Sequence, residues 1–420
     1  MELGQTLQLP QAPSGLRGRI RVPPSKSLAQ RYLLAASLAG PPAQVEHFSP
    51  AEDPQLLLQA LQELGYGFAV AGPTVRVQGF AERGGATLFF GNNGTGLRLL
   101  LAQLAAIPGR WVVDGVPRLR ERPLGGLLAA LRQLGAVVDG ERLPLVVHGR
   151  PLAGGRVRLD ASQSSQFVSA LMFLGVRLPL GLEVELAGVV PSWPYVTLSA
   201  AVLQAFGAQV ELSPSRLRVA GPLRPCTVAV EGDWSAAAFP LVGVAVAGGA
   251  VEVQGVDPTS PQGDLAIVQL LHQAGCQVEE RPDGVWIEGP GRRPLRGNLA
   301  NVPDLFPPLA VYVALRGGKL EGLGHLAYKE SPRVEVMARH LSALGLDVGA
   351  DGDSFWGSGT PTAPRAPAEP LSPFGDHRIA MALAVAGLVT PGLRLSEPVC
   401  VAKSWPDFFR SWSQLIGAAG

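Results

Sequence analysis

The chain has 420 residues, room for two or three domains with a substantial apolar core. Its 35 Lys and Arg against 34 Asp and Glu leave a formal net charge of +1, so no global field draws it to nucleic acid or to an anionic membrane. Any anion it binds must be held by local groups. Three cysteines, Cys226, Cys276 and Cys400, lack CxxC spacing and fit a reducing cytoplasm better than a disulfide framework. The first residues, MELGQTLQLP, carry no basic stretch followed by an apolar run, so the expectation is a cytoplasmic protein without an export signal. The most apolar segment, FPLVGVAVAGGAV, is too short and too glycine-rich for a membrane span and reads as a buried helix and strand. Among the cationic residues only Lys26, Lys319, Lys329 and Lys403 are lysine, which marks them as candidates for work that needs a compact, titratable ammonium rather than a planar fork.

Along the chain, two strand-like runs, TLQLP and GRIRV, come first. They are followed by PPSKSLAQRYLLAASLAG, a polar cluster at the mouth of an uncharged helical segment. The same arrangement recurs at GNNGTGLRLLLAQLA, DASQSSQFVSALMFLG, EGDWSAAAFPLVGVAVAGG, NVPDLFPPLAVYVALRGG and FGDHRIAMALAVAGLV. Marked by Ser27, Thr95, Ser165, Ser235, Phe306 and Arg378, the intervals are 68, 70, 70, 71 and 72 residues. A helix that is apolar all round is buried on every side. Its start exposes backbone N–H donors and partial positive charge, which suit anions.

A second series interleaves with the first. LLLQALQELGYGFAV, LLAALRQLGAVVD, LSAAVLQAFGAQVEL, IVQLLHQAGCQVEE and VMARHLSALGLDVGA share an apolar helical pattern that ends in a glycine followed by a strand-like run, and a sixth segment, FFRSWSQLIGAAG, ends the chain. Gly65, Gly135, Gly207, Gly275, Gly345 and Gly417 are 70, 72, 68, 70 and 72 residues apart, and each is expected to turn left-handed as a helix cap before a strand. The period predicts an α/β protein of six units. No strand follows the sixth glycine, so the N-terminal segment is expected to complete the sixth unit. Residues 23–231 would then form one three-unit domain and residues 1–22 plus 232–420 a second, with the chain crossing twice between them.

The polar loops carry the chemistry. Lys26, Ser27 and Arg31 share one helix start, Ser27 and Arg31 lying a turn apart on one face. GNNGTGLR supplies glycine backbone and Arg98 without the GK[ST] of a P-loop. RERPLGG adds Arg122, SQSSQF adds Ser164, Ser165 and Gln166, and PSWPY adds Ser192 and Tyr195. VPD adds Asp304, YKESPR adds Lys329, Glu330 and Arg333, GDHR adds His377 and Arg378, and VAKSWPDFF adds Lys403. The six histidines form no HExxH or comparable cluster, so no metal site is expected.

In this order, PSKSLAQR, GNNGTGLR, ERPLGGL, SSQF, PYV, EGDWSAA, VPDLFPPLA, YKESPR, GDHRIAM and AKSWPDFF resemble the EPSP synthase (3-phosphoshikimate 1-carboxyvinyltransferase) family of enolpyruvyl transferases over essentially the whole chain. The resemblance implies two similar domains, each of three β-α-β-α-β-β units (an inverse α/β barrel), with helix starts directed toward an interdomain cleft. It implies transfer of the enolpyruvyl group of phosphoenolpyruvate to the 5-hydroxyl of shikimate 3-phosphate in the shikimate pathway, in a cytoplasmic monomer with no cofactor. By motif, Lys26, Ser27, Arg31, Ser164, Ser165, Gln166, Ser192, Tyr195, Asp304 and Lys329 would hold shikimate 3-phosphate. Lys26, Gly94, Arg122, Gln166, Arg333, Arg378 and Lys403 would hold phosphoenolpyruvate. Catalysis falls to Asp304, Glu330 and Lys26, with Asp304 a candidate base, Glu330 a candidate proton donor to the methylene and Lys26 a candidate shuttle.

The match has departures. Pro332 stands where the family usually has aspartate, His325 where it has asparagine, Leu99 for a common proline and Trp234 for a common small residue. None removes a principal charged group. The related transferase that acts on UDP-N-acetylglucosamine usually carries Lys-Asn in place of Lys26-Ser27 and a reactive loop cysteine absent from the GNNGTG to ERPLGG region. A silent anion-binding scaffold would have no use for carboxylates such as Asp304 and Glu330 among its anion ligands.

Overall fold

The computed structural model describes residues 6–359 and 363–417. The chain divides into two compact units, residues 24–230 and residues 1–23 with 231–420. Each has its own apolar core, one drawn from Leu28 through Val230, the other from Leu9 to Val22 and from Trp234 to Leu415.

Five four-stranded sheets repeat one plan. In the clearest copy Gly155–Asp160 runs parallel to Leu182–Ala187, with Gly155 opposite Leu182. Arg216–Ala220 and Gln209–Ser213 then follow as an antiparallel hairpin. The parallel neighbours are joined by an inner helix, as a parallel connection requires. Two copies take their first strand from the other end of their unit: Thr227–Ala229 lies parallel to Gln44–Glu46, and Leu16–Arg21 parallel to Gly249–Gln254. The sixth sheet is reduced. Arg394–Ser396 pairs antiparallel with Thr6–Gln8, and Leu371 bridges Leu395 in parallel. Of the two N-terminal strands, the first therefore completes the sixth unit as expected, whereas GRIRV completes the fourth.

The inner helices Lys26–Ala39, Gly94–Ala106, Ser165–Gly175, Trp234–Ala247, Phe306–Arg316 and His377–Gly387 are buried nearly throughout, as their unbroken apolar runs require. Five starts are capped by side chains that accept backbone N–H groups: Ser25, Asn93, Ser164, Asp233 and Asp376. The fifth start differs. The 3₁₀ turn Pro303–Leu305 leads into Phe306–Arg316, and Pro307 and Pro308 occupy its first turn, where a missing N–H costs nothing.

The outer helices end as the spacing predicts in five of six cases, with φ of 116° at Gly65, 90° at Gly135, 86° at Gly207, 90° at Gly275 and 80° at Gly345. Gly417 does not follow them. Its φ is −82° and its N–H bonds Ser413 O, so Gly417 closes the helix Phe408–Ile416 in a right-handed rather than a left-handed conformation.

Candidate active site

In the unit of residues 24–230, the polar residues gather at the three inner helix starts. Lys26 opens the first inner helix, and its Nζ donates to Asp53 Oδ2 at 2.8 Å, both side chains being nearly out of water. Asp53 lies in the first turn of Glu52–Leu64, and its carbonyl accepts Asn93 Nδ2 at 2.7 Å. Asn93 Oδ1 in turn caps Gly96 N at 2.8 Å, so one chain of bonds ties Lys26 to the GNNGTG start.

Arg31 is 1% exposed and, among the described residues, its hydrogen bonds run to neutral oxygens: Nε to Ser199 Oγ at 2.8 Å, Nη1 to Ser27 O at 2.9 Å and Nη2 to Tyr195 O at 3.4 Å. Its guanidinium also lies 5.7 Å from the Tyr195 ring centroid. Ser199 passes its own proton on to Ser169 Oγ at 2.8 Å. Burial pushes Arg31 down to about 10, with Tyr195 opposing, yet it stays cationic at neutral pH. A buried cation held by dipoles rather than by a carboxylate favours an incoming anion.

Arg122 follows the short helix Pro117–Glu121 and lays its guanidinium over Gly94. Arg98 fixes this approach, donating from Nη1 to Gly94 O at 3.0 Å and from Nη2 to Pro123 O at 2.7 Å. Ser164 accepts Gln166 N at 3.2 Å, and Gln166 Nε2 donates to Thr95 Oγ1 at 3.0 Å. Ser165 is buried one residue on. Gln166 Oε1 and Ser192 Oγ are buried without a hydrogen-bond partner among the described residues, and Ser192 holds φ of 56°. A serine kept in the left-handed region with an unmade hydrogen bond is stored cost, of the kind found at ligand sites.

In the second unit Arg333 is the hub. Only 1% of its side chain is exposed, and it donates to three carboxylates: Asp304 Oδ1 at 2.6 Å, Glu330 Oε2 at 2.9 Å and Asp376 Oδ2 at 2.8 Å. Arg378 Nη2 takes the other oxygen of Asp304 at 2.9 Å. Asp376 also accepts Ser331 Oγ at 3.0 Å while capping Arg378 N at 3.0 Å. Burial alone would raise the proton affinity of Asp304, but Arg378, Arg333 and Lys329 outweigh it and hold the carboxyl far below the usual range. Burial likewise opposes the charge of Arg333, and Asp376, Glu330 and Asp304 more than restore it.

Lys329 ends the 3₁₀ turn Gly324–Tyr328. Within that turn His325 is driven down to about 4, first by burial and then by Lys329, so it is neutral at pH 7. Lys403 is buried at the end of the 3₁₀ turn Pro398–Lys403. Pro332 sits at the N-cap of Arg333–Ala343 without a side-chain cap bond. His377 is fully buried, its Nδ1 3.7 Å from Asp376 Oδ1.

The structure thus joins Asp304, Glu330, Arg333 and Arg378 in one network, and Gly94 with Arg122 and Gln166 around the second helix start. Asp53, Ser169 and Ser199 were not singled out from sequence. An acid in a first helical turn, such as Asp53 in EDP, is what the helix dipole alone favours, so nothing local distinguished it. Asp376 was visible inside GDHR, but its grip on Arg333 spans 43 residues of sequence.

A family model described as EPSP synthase (3-phosphoshikimate 1-carboxyvinyltransferase) matches residues 10–412. The 3-phosphoshikimate 1-carboxyvinyltransferase of Syntrophobacter fumaroxidans is 35% identical over 421 residues, covering 96% of this chain and 98% of that protein. The one from Methanopyrus kandleri is 37% identical over 415 residues, covering 94% of each. Among solved structures, EPSP synthase from Acinetobacter baumannii superposes with a TM-score of 0.77 at 27% identity, covering 98% of both chains. The enolpyruvyl transferase NikO from Streptomyces tendae shares the fold, with a TM-score of 0.74 at 17% identity over 98% of this chain and 96% of its own. This chain belongs to the EPSP synthase (3-phosphoshikimate 1-carboxyvinyltransferase) family.

Proposed function

We infer that the protein transfers the enolpyruvyl group of phosphoenolpyruvate to the 5-hydroxyl of shikimate 3-phosphate, giving 5-enolpyruvylshikimate 3-phosphate and phosphate. The observation that carries the chemistry is the sharing of one buried arginine, Arg333, by Asp304 and Glu330, with Arg378 on the second oxygen of Asp304. Pure anion binding gains nothing from carboxylates set against its cations.

In this reading Lys26, Ser27, Arg31, Ser164, Ser165, Gln166, Ser192, Tyr195, Asp304 and Lys329 hold shikimate 3-phosphate. Lys26, Gly94, Arg122, Gln166, Arg333, Arg378 and Lys403 hold phosphoenolpyruvate. The unmade hydrogen bonds of Ser192 and Gln166 and the uncompensated charge of Arg31 support the first set. The closeness of Arg122 to Gly94 supports the second.

In the addition step the hydroxyl oxygen bonds to the enol carbon, its proton goes to a base, and the methylene carbon takes a proton from an acid. In the elimination the new methyl loses a proton and the carbon–phosphate oxygen bond breaks, releasing phosphate. We assign the base to Asp304 and both methyl proton transfers to Glu330. Lys26, held by Asp53, offsets charge on the bridging oxygen. As it stands in its ion pairs Asp304 is ionised but binds protons weakly. When substrate anions draw Arg333 and Arg378 toward themselves, Asp304 loses counter-charge and its proton affinity rises as the hydroxyl proton arrives.

The reading carries with it a cytoplasmic monomer that needs no metal. No helix among the described residues is long and apolar enough to cross a membrane. The deciding experiment is phosphate release from the purified protein in the presence of EDTA. Release that requires both substrates supports the assignment. Silence with both, alongside calorimetric binding of shikimate 3-phosphate, overturns it in favour of a binding scaffold.

A further inference from the structure

Two buried hydroxyls behind Arg31 have no part in the mechanism above. Ser199 lies on the helix Pro194–Ala205 and is fully buried, and Ser169, 1% exposed, lies on the inner helix Ser165–Gly175. These two helices pack together, and Pro194–Ala205 also packs against Lys26–Ala39, the helix that carries Arg31. Polar groups set among packed helices are unfavourable unless they are bonded. Here they are: Arg31 Nε donates to Ser199 Oγ at 2.8 Å, and Ser199 Oγ stands 2.8 Å from both Ser169 Oγ and Tyr195 O. Ser169 Oγ faces the same Tyr195 carbonyl at 3.5 Å.

The effect on Arg31 is geometric. The N–H groups of a guanidinium lie in one plane, so a bond at Nε fixes the rotation of that plane about the Cδ–Nε bond. Nη1 on Ser27 O and Nη2 on Tyr195 O hold the plane at its other end. Three of the five N–H donors of an arginine are then engaged among the described residues, which leaves one on each terminal nitrogen. With its single proton placed on Ser169 or on the Tyr195 carbonyl, the Ser199 oxygen turns its lone pairs to Nε. A carboxylate in that place would cancel the charge of Arg31, whereas a hydroxyl orients the cation and leaves its charge in force.

We infer that Ser199, backed by Ser169, is a positioning residue for shikimate 3-phosphate: its hydroxyl sets the plane of the Arg31 guanidinium and leaves the charge and the two remaining N–H groups of that arginine to an anionic group of the substrate. The consequence is a hydroxyl that touches no substrate yet governs the KM for one of the two.

The inference rests on the transferase reading for its kinetic form, so the test has a second arm that uses no turnover. In the first arm, kcat and the KM for each substrate are measured for the wild type, Ser199→Ala, Ser199→Thr and Ser169→Ala. Ser199→Ala is expected to raise the KM for shikimate 3-phosphate roughly tenfold, the scale of one hydrogen bond to a charged group, while kcat and the KM for phosphoenolpyruvate hold. Ser199→Thr is expected to restore the wild-type KM, because a helical threonine can turn its hydroxyl to the carbonyl four residues back, here Tyr195 O. An unchanged KM for shikimate 3-phosphate in Ser199→Ala, an equal rise in Ser199→Thr, or a rise shared by both substrates overturns the inference. If Ser199→Ala does not fold, Ser169→Ala decides: a rise in the KM for shikimate 3-phosphate alone supports the inference, and its absence overturns it. In the second arm, the side-chain Nε–H resonance of Arg31, assigned by its loss in Arg31→Lys, is followed by heteronuclear NMR without substrate. Its exchange with solvent is expected to be slow in the wild type and in Ser199→Thr and at least about tenfold faster in Ser199→Ala. Equal rates overturn the inference even if the protein turns over neither substrate, and lack of turnover alone would fell only the transferase reading.

Discussion

A methyl group on Gly94 would stand 2.4 to 2.6 Å from three atoms of the Arg122 guanidinium. Arg122 is a flexible chain end and the Gly94 backbone is helical, so Gly94→Ala moves the arginine rather than unfolding the helix. The expected result is a KM for phosphoenolpyruvate raised by roughly tenfold, about 1.4 kcal/mol, with a nearly unchanged melting temperature. An unchanged KM would remove Arg122 from that substrate. Asp304→Asn and Glu330→Gln keep shape and remove proton transfer, so each should lower kcat by at least about a hundredfold; near-normal turnover in both would end the mechanism given above. His325 gives a pH effect on stability. Its folded value of about 4 lies below the unfolded 6.5, so its contribution is fully present above pH 6.5 and is lost as pH falls toward 4. His325→Asn should flatten the acid side of the stability curve measured by urea titration, and an unaltered slope would contradict the shift. Which residues could be read from sequence follows from how their partners lie. Lys26, Arg31 and Arg333 stand in dense polar motifs and were legible, whereas Asp53 is a single acid and Ser199 a single hydroxyl whose importance comes from residues 27 and 168 positions away.

The helix starts were the most legible elements, because an uncharged run preceded by Ser, Asn or Asp leaves a cap little alternative. Their energetic weights differ, however. Ser25 contributes one long cap bond of 3.4 Å to Leu28 N, so Ser25→Ala should cost about 0.5–1 kcal/mol. Asp376 caps its helix and also carries the buried Nε of Arg333 and the Ser331 hydroxyl, with no exposure of its own. Asp304 and Glu330 still neutralise Arg333 in its absence, but Asp376→Ala strands the buried Arg333 Nε and the Ser331 hydroxyl as well as the cap, so it should cost about 3–5 kcal/mol. In thermal unfolding that difference appears as a loss of roughly 10 °C for Asp376→Ala against a few degrees for Ser25→Ala. Equal losses would mean that Asp376 acts as a cap alone. The strands were harder to read. Thr227–Ala229 has three residues, too few for an alternating pattern, and its partner lies at the far end of its unit. GRIRV alternates clearly, but alternation names a strand and not its sheet, which is why its place beside Gly249–Gln254 was not foreseen.

At the scale of the whole molecule, the period of about 70 residues proposed six units, and six sheets with six inner helices are found among the described residues. What periodicity does not carry is the exchange of first strands, and that exchange sets how the two units depend on the chain. The unit of residues 24–230 is continuous and supplies every strand of its three sheets, Thr227–Ala229 included. Its core is closed from within, with Val45 and Val230 buried where that last strand and its exit meet Gln44–Glu46. A fragment of residues 24–230 should therefore unfold cooperatively in urea, with a sigmoidal transition. The other unit is discontinuous. Residues 231–420 alone lack Leu16–Arg21, the edge partner of Gly249–Gln254, and Thr6–Gln8, the partner of Arg394–Ser396. They also lack Leu9, Leu16 and Ile20 from the core. Such a fragment exposes two unpaired strand edges and an open apolar face, so it should give a broad, non-cooperative transition or aggregate. Adding residues 1–23 as a separate peptide should restore a sharp transition. A sharp transition without the peptide would show that the borrowed strands are dispensable to the second core.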